Sequence, residues 1–166
     1  MNPHELCIRP VLPPDNQMLA ALIRGVLVEM GVPEKGTALE DASLERMYEA
    51  YQLPRAAYWV VADSKRIWGG GGIAPLHAAD AGVCELQKMY FSRELRGRGW
   101  GARLIRLALD RARILGFDTM YLETMPYMEA AQSLYRNQGF QYLDHPRGDT
   151  GHNSCTVWME KEIDRG

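Results

Sequence analysis

Residues 83–115 decide the fold, and they read VCELQKMYFSRELRGRGWGARLIRLALDRARIL. Val83 to Phe91 is predicted to form a strand. From about Gly99 to Leu115 the apolar residues recur at helical spacing, so we predict a helix with one face on the core. A glycine-rich turn separates the two elements. Strand, turn and helix together predict one βα unit of a mixed sheet.

The turn has the composition of a phosphate-binding site. Gly97, Gly99 and Gly101 allow the main chain to approach an anion closely, and Arg96 and Arg98 add positive charge. The helix that follows contributes unpaired N–H groups and the positive end of its dipole. Alternating glycines also occur in simple turns, so the pattern by itself leaves both interpretations open. The turn lacks the lysine and Ser/Thr of a P-loop and the spacing of a dinucleotide fingerprint, which disfavours both classes.

Composition indicates a globular protein of one domain. The chain has 166 residues, of which 46% are hydrophobic and 24% charged, with a net charge of −2. We therefore expect a single domain over residues 1–166 and no nucleic-acid partner. No apolar run approaches the roughly 20 residues of a membrane helix, and the N-terminus lacks a signal-peptide pattern, so we expect a cytoplasmic protein without a membrane partner. The three cysteines show no paired spacing and predict neither a disulfide framework nor a metal site.

The rest of the sequence predicts further strands and helices. The predicted strands are about Leu6–Val11, Ala57–Ala62, Arg66–Ala74, Thr119–Glu123, Phe140–Leu143 and Cys155–Lys161. The other predicted helices follow Asp15 as an N-cap, span about Asp41–Tyr51, and span about Tyr127–Gln138. Four glycines, Gly69–Gly72, indicate a bend or bulge in a strand or, alternatively, a close approach to a ligand. The order β, α, α, β, β, β, α, β, α, β, β predicts an α+β or mixed α/β fold.

The chain resembles the GNAT superfamily of N-acetyltransferases in two motifs. That family's signature is Gln or Arg, two residues, Gly, one residue, then Gly or Ala, and here it is Arg96-Gly97-Arg98-Gly99-Trp100-Gly101. The later family motif, Ala-x-x-Leu-Tyr-x-x-x-Gly-Phe, is similar to Ala131-Gln132-Ser133-Leu134-Tyr135-Arg136-Asn137-Gln138-Gly139-Phe140. The element order is similar along nearly the whole chain, although the N-terminal third matches only in pattern.

The resemblance implies a GNAT-like acyl-CoA N-acyltransferase fold with a central twisted mixed sheet of about seven strands flanked by about four helices. It implies two parallel strands splayed apart, so that the pantetheine of acetyl-CoA inserts like an extra strand. It implies that pantetheine pairs with backbone near Met89, Tyr90 and Phe91. The implied pyrophosphate contacts are Arg96, Gly97, Arg98, Gly99, Trp100, Gly101 and Ala102, mostly through main-chain N–H groups.

Glu85 is the general base that the resemblance implies. It stands where some family members carry a catalytic glutamate, and it would act through water if the amine is distant. A solvent-facing strand carboxylate, or a partner for an arginine, is the alternative. Strand alternation predicts that Lys88 lies on the opposite face from Glu85, and that Glu85 shares its face with Gln87, Met89 and Phe91.

Tyr135 is the general acid that the resemblance implies, since it matches a tyrosine that returns a proton to the cofactor sulfur. Simple aromatic packing is the alternative. The oxyanion donor would be a main-chain N–H near Met89 or Tyr90. Met128 departs from the family pattern, which has Asn at that position in many relatives, so pantetheine contacts there are in doubt.

Two loops form the acceptor site that the resemblance implies, Gly31 to Asp41 and Asp144 to Ser154. The second is rich in hydrogen-bonding groups, although a solvated turn explains this composition as well. Three glutamates near the first loop either attract a cationic amine or are charges at helix ends, namely Glu34, Glu40 and Glu45. A nucleophilic pair of His152 and Cys155 is a further alternative, which direct transfer does not require.

The resemblance thus implies an N-acetyltransferase that moves the acetyl group from acetyl-CoA directly to a primary amine of a small molecule, an amino acid derivative or a peptide. The implied partner is that amine acceptor, and a homodimer stays open. A catalytically silent acyl-CoA-binding or sensing module is the alternative from another class. A nucleotide-binding protein that uses the same turn is the third. No metal is expected.

Overall fold

A computed structural model of the chain describes residues 5–166 and shows one mixed sheet with helices on both faces. The strands, in the spatial order β1-β2-β3-β4-β5-β7-β6, are β1 (Cys7–Pro10), β2 (Ala57–Ala62), β3 (Ile67–Pro75), β4 (Val83–Phe91), β5 (Thr119–Thr124), β6 (Gln141–Leu143) and β7 (Val157–Glu162). The α-helices are α1 (Asn16–Glu29), α2 (Met47–Ala50), α3 (Trp100–Ile114) and α4 (Glu129–Asn137). This architecture confirms the predicted fold class. Residues 1–4 of the predicted domain lie outside the described residues.

The sheet opens between its two parallel strands. β4 pairs with β5 only at Val83↔Thr119, Cys84↔Met120 and Glu85↔Tyr121. Beyond Glu85, β5 continues to pair with β7, while β4 continues along β3. The splayed strands predicted from the resemblance are therefore confirmed, and Glu85 lies at the apex of the wedge.

A β-bulge in β4 re-aims the side chains beyond the apex. Gly70 pairs with Tyr90 and Gly72 with Gln87, so Lys88 and Met89 together oppose the single residue between those glycines. Lys88 adopts a φ of 47°, in the left-handed region. Because a bulge inserts one residue, it reverses the inside–outside alternation of the strand that follows.

The predicted alternation of β4 is therefore wrong beyond Gln87. Met89 and Phe91 pack near Leu104 of α3, on one face of the sheet, whereas Tyr90 packs with the core beneath α1 on the other. Lys88 shares that α1 face with Glu85, since its ammonium reaches Asp41 in the loop after α1. It pairs with Asp41 and not with Glu85.

Each face of the sheet has its own apolar core. On one face α3 buries Ile105, Ala108 and Ala112 against strand residues, because its apolar positions recur at i, i+3 and i+7. On the other, α1 buries Leu19, Ile23 and Leu27, joined by side chains from the segment before β2. None of the described helices has both the length and the apolar composition that crossing a bilayer requires.

The glycine run Gly69–Gly72 serves close packing inside the sheet. A Cβ on Gly69 would lie 2.2 Å from Cδ1 of Phe91, and one on Gly70 would lie 2.7 Å from the carbonyl oxygen of Trp59. None of the four lines the large cavity described below. Of the two interpretations that the sequence leaves open, the structure favours the bend in the sheet.

The predicted helix over Asp41–Tyr51 is only partly correct. The structure has a 3-10 helix over Ala42–Arg46 followed by α2, with a break at Arg46, whose φ is −137° and ψ 49°. Leu44, Met47 and Tyr51 are nevertheless buried, with the spacing of one face of a helix. These apolar side chains therefore reach the core without a continuous helix.

Candidate active site

The wedge between β4 and β5 opens into a cavity of about 600 Å³ that runs from the glycine-rich turn to the apex of the sheet. One end is lined by Arg96, Gly97, Gly99, Trp100, Gly101 and Ala102. The other end is lined by Glu85, Glu123, His152 and Cys155, and Tyr135 and Met128 line it between. The cavity thus brings together nearly all the residues that the sequence proposed for cofactor binding and catalysis. Exposed Arg98 is the exception, since it does not line the cavity.

Unpaired backbone amides converge at the turn. The first amide of α3 to bond within the chain is that of Arg103, which donates to the carbonyl of Gly99 at 3.2 Å. The amides of Trp100, Gly101 and Ala102 make no hydrogen bond with any other described residue. Such N–H groups, with the helix dipole behind them, form an anion-binding site.

Two glycines of the turn have distinct physical roles. Gly99 is the N-cap of α3 and adopts a φ of 81°, a left-handed conformation that favours glycine. A Cβ on Gly101 would lie 2.6 Å from Cδ2 of Leu134, so this glycine permits the close approach of α3 to α4. The turn is therefore shaped by backbone requirements.

Arg96 braces the turn through its side chain. Its Nε donates to the carbonyl of Phe91 at 2.9 Å, and its two terminal nitrogens donate to the Glu29 carboxylate of α1 at 3.1 Å each. The guanidinium thus ties the end of β4 and α1 to the mouth of the cavity. Glu29 compensates part of its charge.

Glu85 is a buried carboxyl group that accepts a hydrogen bond from one donor among the residues that the structure describes. It is 6% exposed, and Nε2 of Gln87 donates to its Oε2 at 2.7 Å. Burial raises the pKa of this carboxyl to about 7, against the lowering effects of the Gln87 hydrogen bond and the charges of His152 and Lys88. A carboxylate with a pKa near neutrality is suited to general-base chemistry, since it is partly ionised and still basic at neutral pH.

Asp41 contacts an ammonium group and an imidazole near one end of the cavity. Nζ of Lys88 lies 2.8 Å from its Oδ2, and Nε2 of His152 lies 3.0 Å from its Oδ1. Burial lowers the pKa of the His152 imidazole, but the hydrogen bond and charge of Asp41 outweigh it, so that pKa is raised. Burial raises the pKa of the Asp41 carboxyl, but His152 and Lys88 together outweigh it and hold that pKa below the usual range.

The same two loops are joined a second time through Ser154. Its amide donates to the carbonyl of Gly36 at 3.0 Å, and its hydroxyl donates to the carbonyl of Lys35 at 3.0 Å. The loops that the resemblance proposed for the acceptor are therefore fastened to each other. They form one wall beside Glu85.

Glu123, near the end of β5, is a second carboxylate at the apex. The hydroxyl of Tyr121 donates to its Oε2 at 2.6 Å, and the hydroxyl of Thr150 donates to its other oxygen. One side-chain atom of each of Glu85, Glu123 and His152 lies within 4.8 Å of the other two. This end of the cavity is thus strongly polar.

Tyr135, in α4, lines the cavity with its ring against Phe140, at 5.9 Å between centroids. It is 7% exposed, and its hydroxyl makes no hydrogen bond with another described residue. Burial raises the pKa of this phenol well above its usual value. It therefore keeps its proton at neutral pH.

Cys155 and Met128 are less suited to a direct role in catalysis. Burial raises the pKa of the Cys155 thiol to about 11, and the imidazole Nε2 of His152 is bonded to Asp41. The geometry therefore disfavours a nucleophilic pair of these residues. Met128 lines the cavity just before α4, with its sulfur 3.5 Å from the hydroxyl of Thr124.

Several residues of the site were missed from sequence. Gln87 had a signal, since it lies two residues from Glu85 on the same face of a strand. Asp41, Tyr51 and Glu123 had none, because their positions beside Glu85 depend on how distant segments pack. Lys88 was assigned to the wrong face because the bulge is a property of strand pairing.

Comparison with known proteins identifies the family. A sequence model of the family described as "Acetyltransferase (GNAT) family" matches residues 26–140. The chain is 42% identical over 150 residues to the "Uncharacterized N-acetyltransferase YjgM" of Escherichia coli, covering 90% of each chain.

Solved structures show the same fold. A GNAT-family acetyltransferase from Staphylococcus aureus superposes with a TM-score of 0.85 at 19% identity, covering 96% of this chain and 100% of that one. A phosphinothricin acetyltransferase from Sinorhizobium meliloti, in complex with AcCoA, superposes with a TM-score of 0.76 at 18% identity, covering 97% and 90%. With sequence family, relative and fold in agreement, this chain belongs to the acetyltransferase (GNAT) family and is an acetyl-CoA-dependent N-acetyltransferase.

Proposed function

We propose that the enzyme transfers the acetyl group directly to a primary amine of a small molecule, an amino acid derivative or a peptide, with Glu85 as general base and Tyr135 as general acid. One observation carries the proposal. A buried carboxyl group with a pKa near 7 and a protonated phenol line the same cavity, whose far end presents unpaired amides.

Acetyl-CoA fits the donor site. The amides of Trp100, Gly101 and Ala102 would hold its pyrophosphate. After Glu85, the edge of β4 that no longer pairs with β5 would pair with pantetheine as an added strand. The Sinorhizobium meliloti neighbour, which has the same fold, contains this thioester. Acetyl-CoA supplies the activated acetyl group.

Glu85 performs the first proton transfer. An alkyl ammonium ion cannot attack a carbonyl carbon, so Glu85 removes one proton, directly or through a water molecule, and leaves the nitrogen lone pair free. The raised pKa makes this carboxylate a stronger base than an exposed one. The proton then resides on Glu85 until solvent takes it.

Tyr135 performs the second proton transfer, to the leaving sulfur. When the carbon–sulfur bond breaks, its phenolic proton passes to the sulfur, and the phenolate recovers a proton from the acetylated nitrogen or from solvent. Its hydroxyl is free for this contact because it has no partner among the described residues. The products are the N-acetylated amine and the free thiol.

The acceptor would enter between the loops joined by Asp41 and His152. Their bonds and the two carboxylates Glu85 and Glu123 give this wall hydrogen-bonding and anionic character. An ammonium ion is attracted to such a surface. The cytoplasmic location, the homodimer and the single domain over residues 1–166 stay predictions.

The test is release of free thiol from acetyl-CoA across a panel of primary amines, amino acids and short peptides, with mass spectrometry of the products. The proposal predicts release that depends on one amine class, together with an equal amount of acetylated amine. Release without acceptor dependence, or acetyl-CoA binding with no turnover on any amine, would favour the catalytically silent module.

A further inference from the structure

Gln87 is the centre of a hydrogen-bond chain that ends on Glu85. The hydroxyl of Tyr51, just after α2, donates to Oε1 of Gln87 at 2.7 Å. On the other side of the same amide, Nε2 donates to Oε2 of Glu85 at 2.7 Å. Three side chains from two separate segments are thus connected by two consecutive hydrogen bonds.

We propose that Tyr51 and Gln87 are positioning residues, with Tyr51 holding the Gln87 amide so that its NH₂ group faces the Glu85 carboxylate. This inference rests on the proposed role of Glu85 as the general base. Gln87 lines the cavity and Tyr51 does not, and the proposed role requires neither residue to contact the acetyl donor or the amine.

The orientation of the amide matters because its two ends are chemically opposite. With NH₂ toward Glu85, it donates a charge-assisted hydrogen bond and stabilises the ionised base. Turned over, its carbonyl oxygen would face a carboxylate, and two acceptors repel each other. A group is needed to select the first arrangement.

Tyr51 has the properties of that group. It is 6% exposed, and burial raises the pKa of its phenol well above the usual value, so it stays protonated and donates. Its ring packs on Tyr58 with centroids 5.0 Å apart, which fixes the direction of the hydroxyl. Donation to Oε1 of Gln87 then leaves Nε2 for Glu85.

Other charges around Glu85 act on the same carboxyl. Burial and the charge of Glu123 favour its protonated form, whereas His152 and Lys88 favour the ionised form. Other titratable groups in the described part of the chain that interact with it are Tyr51, Cys84, Tyr90, Tyr121 and Cys155. Gln87, which is neutral, donates a hydrogen bond to Glu85 and so lowers the pKa that burial raises.

Carbon-13 NMR of the Glu85 side-chain carboxyl in the intact protein tests the proposal without relying on turnover. The wild-type carboxyl should titrate with a pKa of about 7. Gln87→Met should raise that pKa, with a gain in proton affinity of about tenfold, because the charge-assisted bond is lost. Tyr51→Phe should shift it in the same direction by a smaller amount, and Tyr58→Phe is the matched control, since its hydroxyl bonds to the carbonyl of Lys88.

The rate profile gives a second readout. In Gln87→Met the rise of kcat/KM with pH should move to higher pH with the same displacement. A carboxyl pKa that stays at the wild-type value in folded Gln87→Met overturns the proposal. A shift in Gln87→Met but not in Tyr51→Phe removes Tyr51 from it. Failure of the base assignment is separate, because Glu85→Gln would then keep full turnover whatever the NMR titrations show.

Discussion

Nε2 of His152 lies 3.0 Å from Oδ1 of Asp41 and 3.1 Å from Oδ2, so one imidazole joins two loops that are 111 residues apart in the chain. The contact fastens the two loops for which we propose a role in binding the acceptor. Because both partners titrate, the strength of this contact depends on pH.

The Asp41–His152 contact should stabilise the fold most between about pH 4 and pH 6.5. The folded pKa of His152 is raised from 6.5, so its contribution is complete below 6.5 and is lost as pH rises through the folded value. The folded pKa of Asp41 is lowered from 3.8, so its contribution is present above 3.8 and is lost in acid. His152→Gln should therefore lower Tm more at pH 5.5 than at pH 9, as differential scanning calorimetry can measure. An equal loss of Tm at the two values would contradict the ionic character of the contact.

Gly99→Ala should weaken acetyl-CoA binding more than Arg98→Ala. Gly99 has a φ of 81°, so alanine strains or displaces the amides at the start of α3, at a cost of about 1 kcal/mol. Arg98 is exposed and does not line the cavity, so its loss removes only screened charge. Isothermal titration calorimetry on both variants decides the order. The reverse order would mean that side-chain charge, and not backbone geometry, binds the pyrophosphate.

Gly70→Ala should lower the free energy of unfolding by about 2 kcal/mol, since overpacking a close-packed site is costly. Its Cβ would lie 2.7 Å from the backbone oxygen of Trp59, an atom that cannot move without disturbing β2. Gly25→Ala is the matched control. Gly25 lies in α1, and a Cβ added there would have open space within 4 Å, so alanine should stabilise by about 0.5 kcal/mol. Urea titrations compare the two, and a neutral Gly70→Ala would refute the packing explanation of the glycine run.

Tyr135→Phe should lower kcat by about a hundredfold, the usual size of a lost acid–base contribution. Its hydroxyl bonds to no described residue, so stability and acetyl-CoA affinity should change little. Tyr142→Phe serves as control, because that exposed hydroxyl bonds only to Gln132 among the described residues and lies outside the cavity. Steady-state kinetics and calorimetry separate the two effects. Full turnover in Tyr135→Phe would reduce this residue to a packing role.

Local pattern predicted the elements of this fold well, and long-range pairing explains where it did not. The predicted bounds of β2 and β4 agree with the structure, because each has a dense run of β-forming residues between clear turns. The bulge at Lys88 was not predictable, since it exists only in relation to the register of β3. Motif position identified the glycine-rich turn and Glu85 as candidates, whereas Asp41 and Tyr51 come near Glu85 by tertiary packing that leaves no local signal.

The role of Glu85 as general base is tested most directly by comparing Glu85→Gln with wild type in kcat and in acetyl-CoA affinity. Glutamine preserves the shape of the side chain and removes its basicity. We expect kcat to fall by about a hundredfold or more, the rise of the wild-type rate near pH 7 to disappear, and the Kd for acetyl-CoA to stay within about twofold. Wild-type kcat with an unchanged pH profile in Glu85→Gln would show that this carboxylate is not the base.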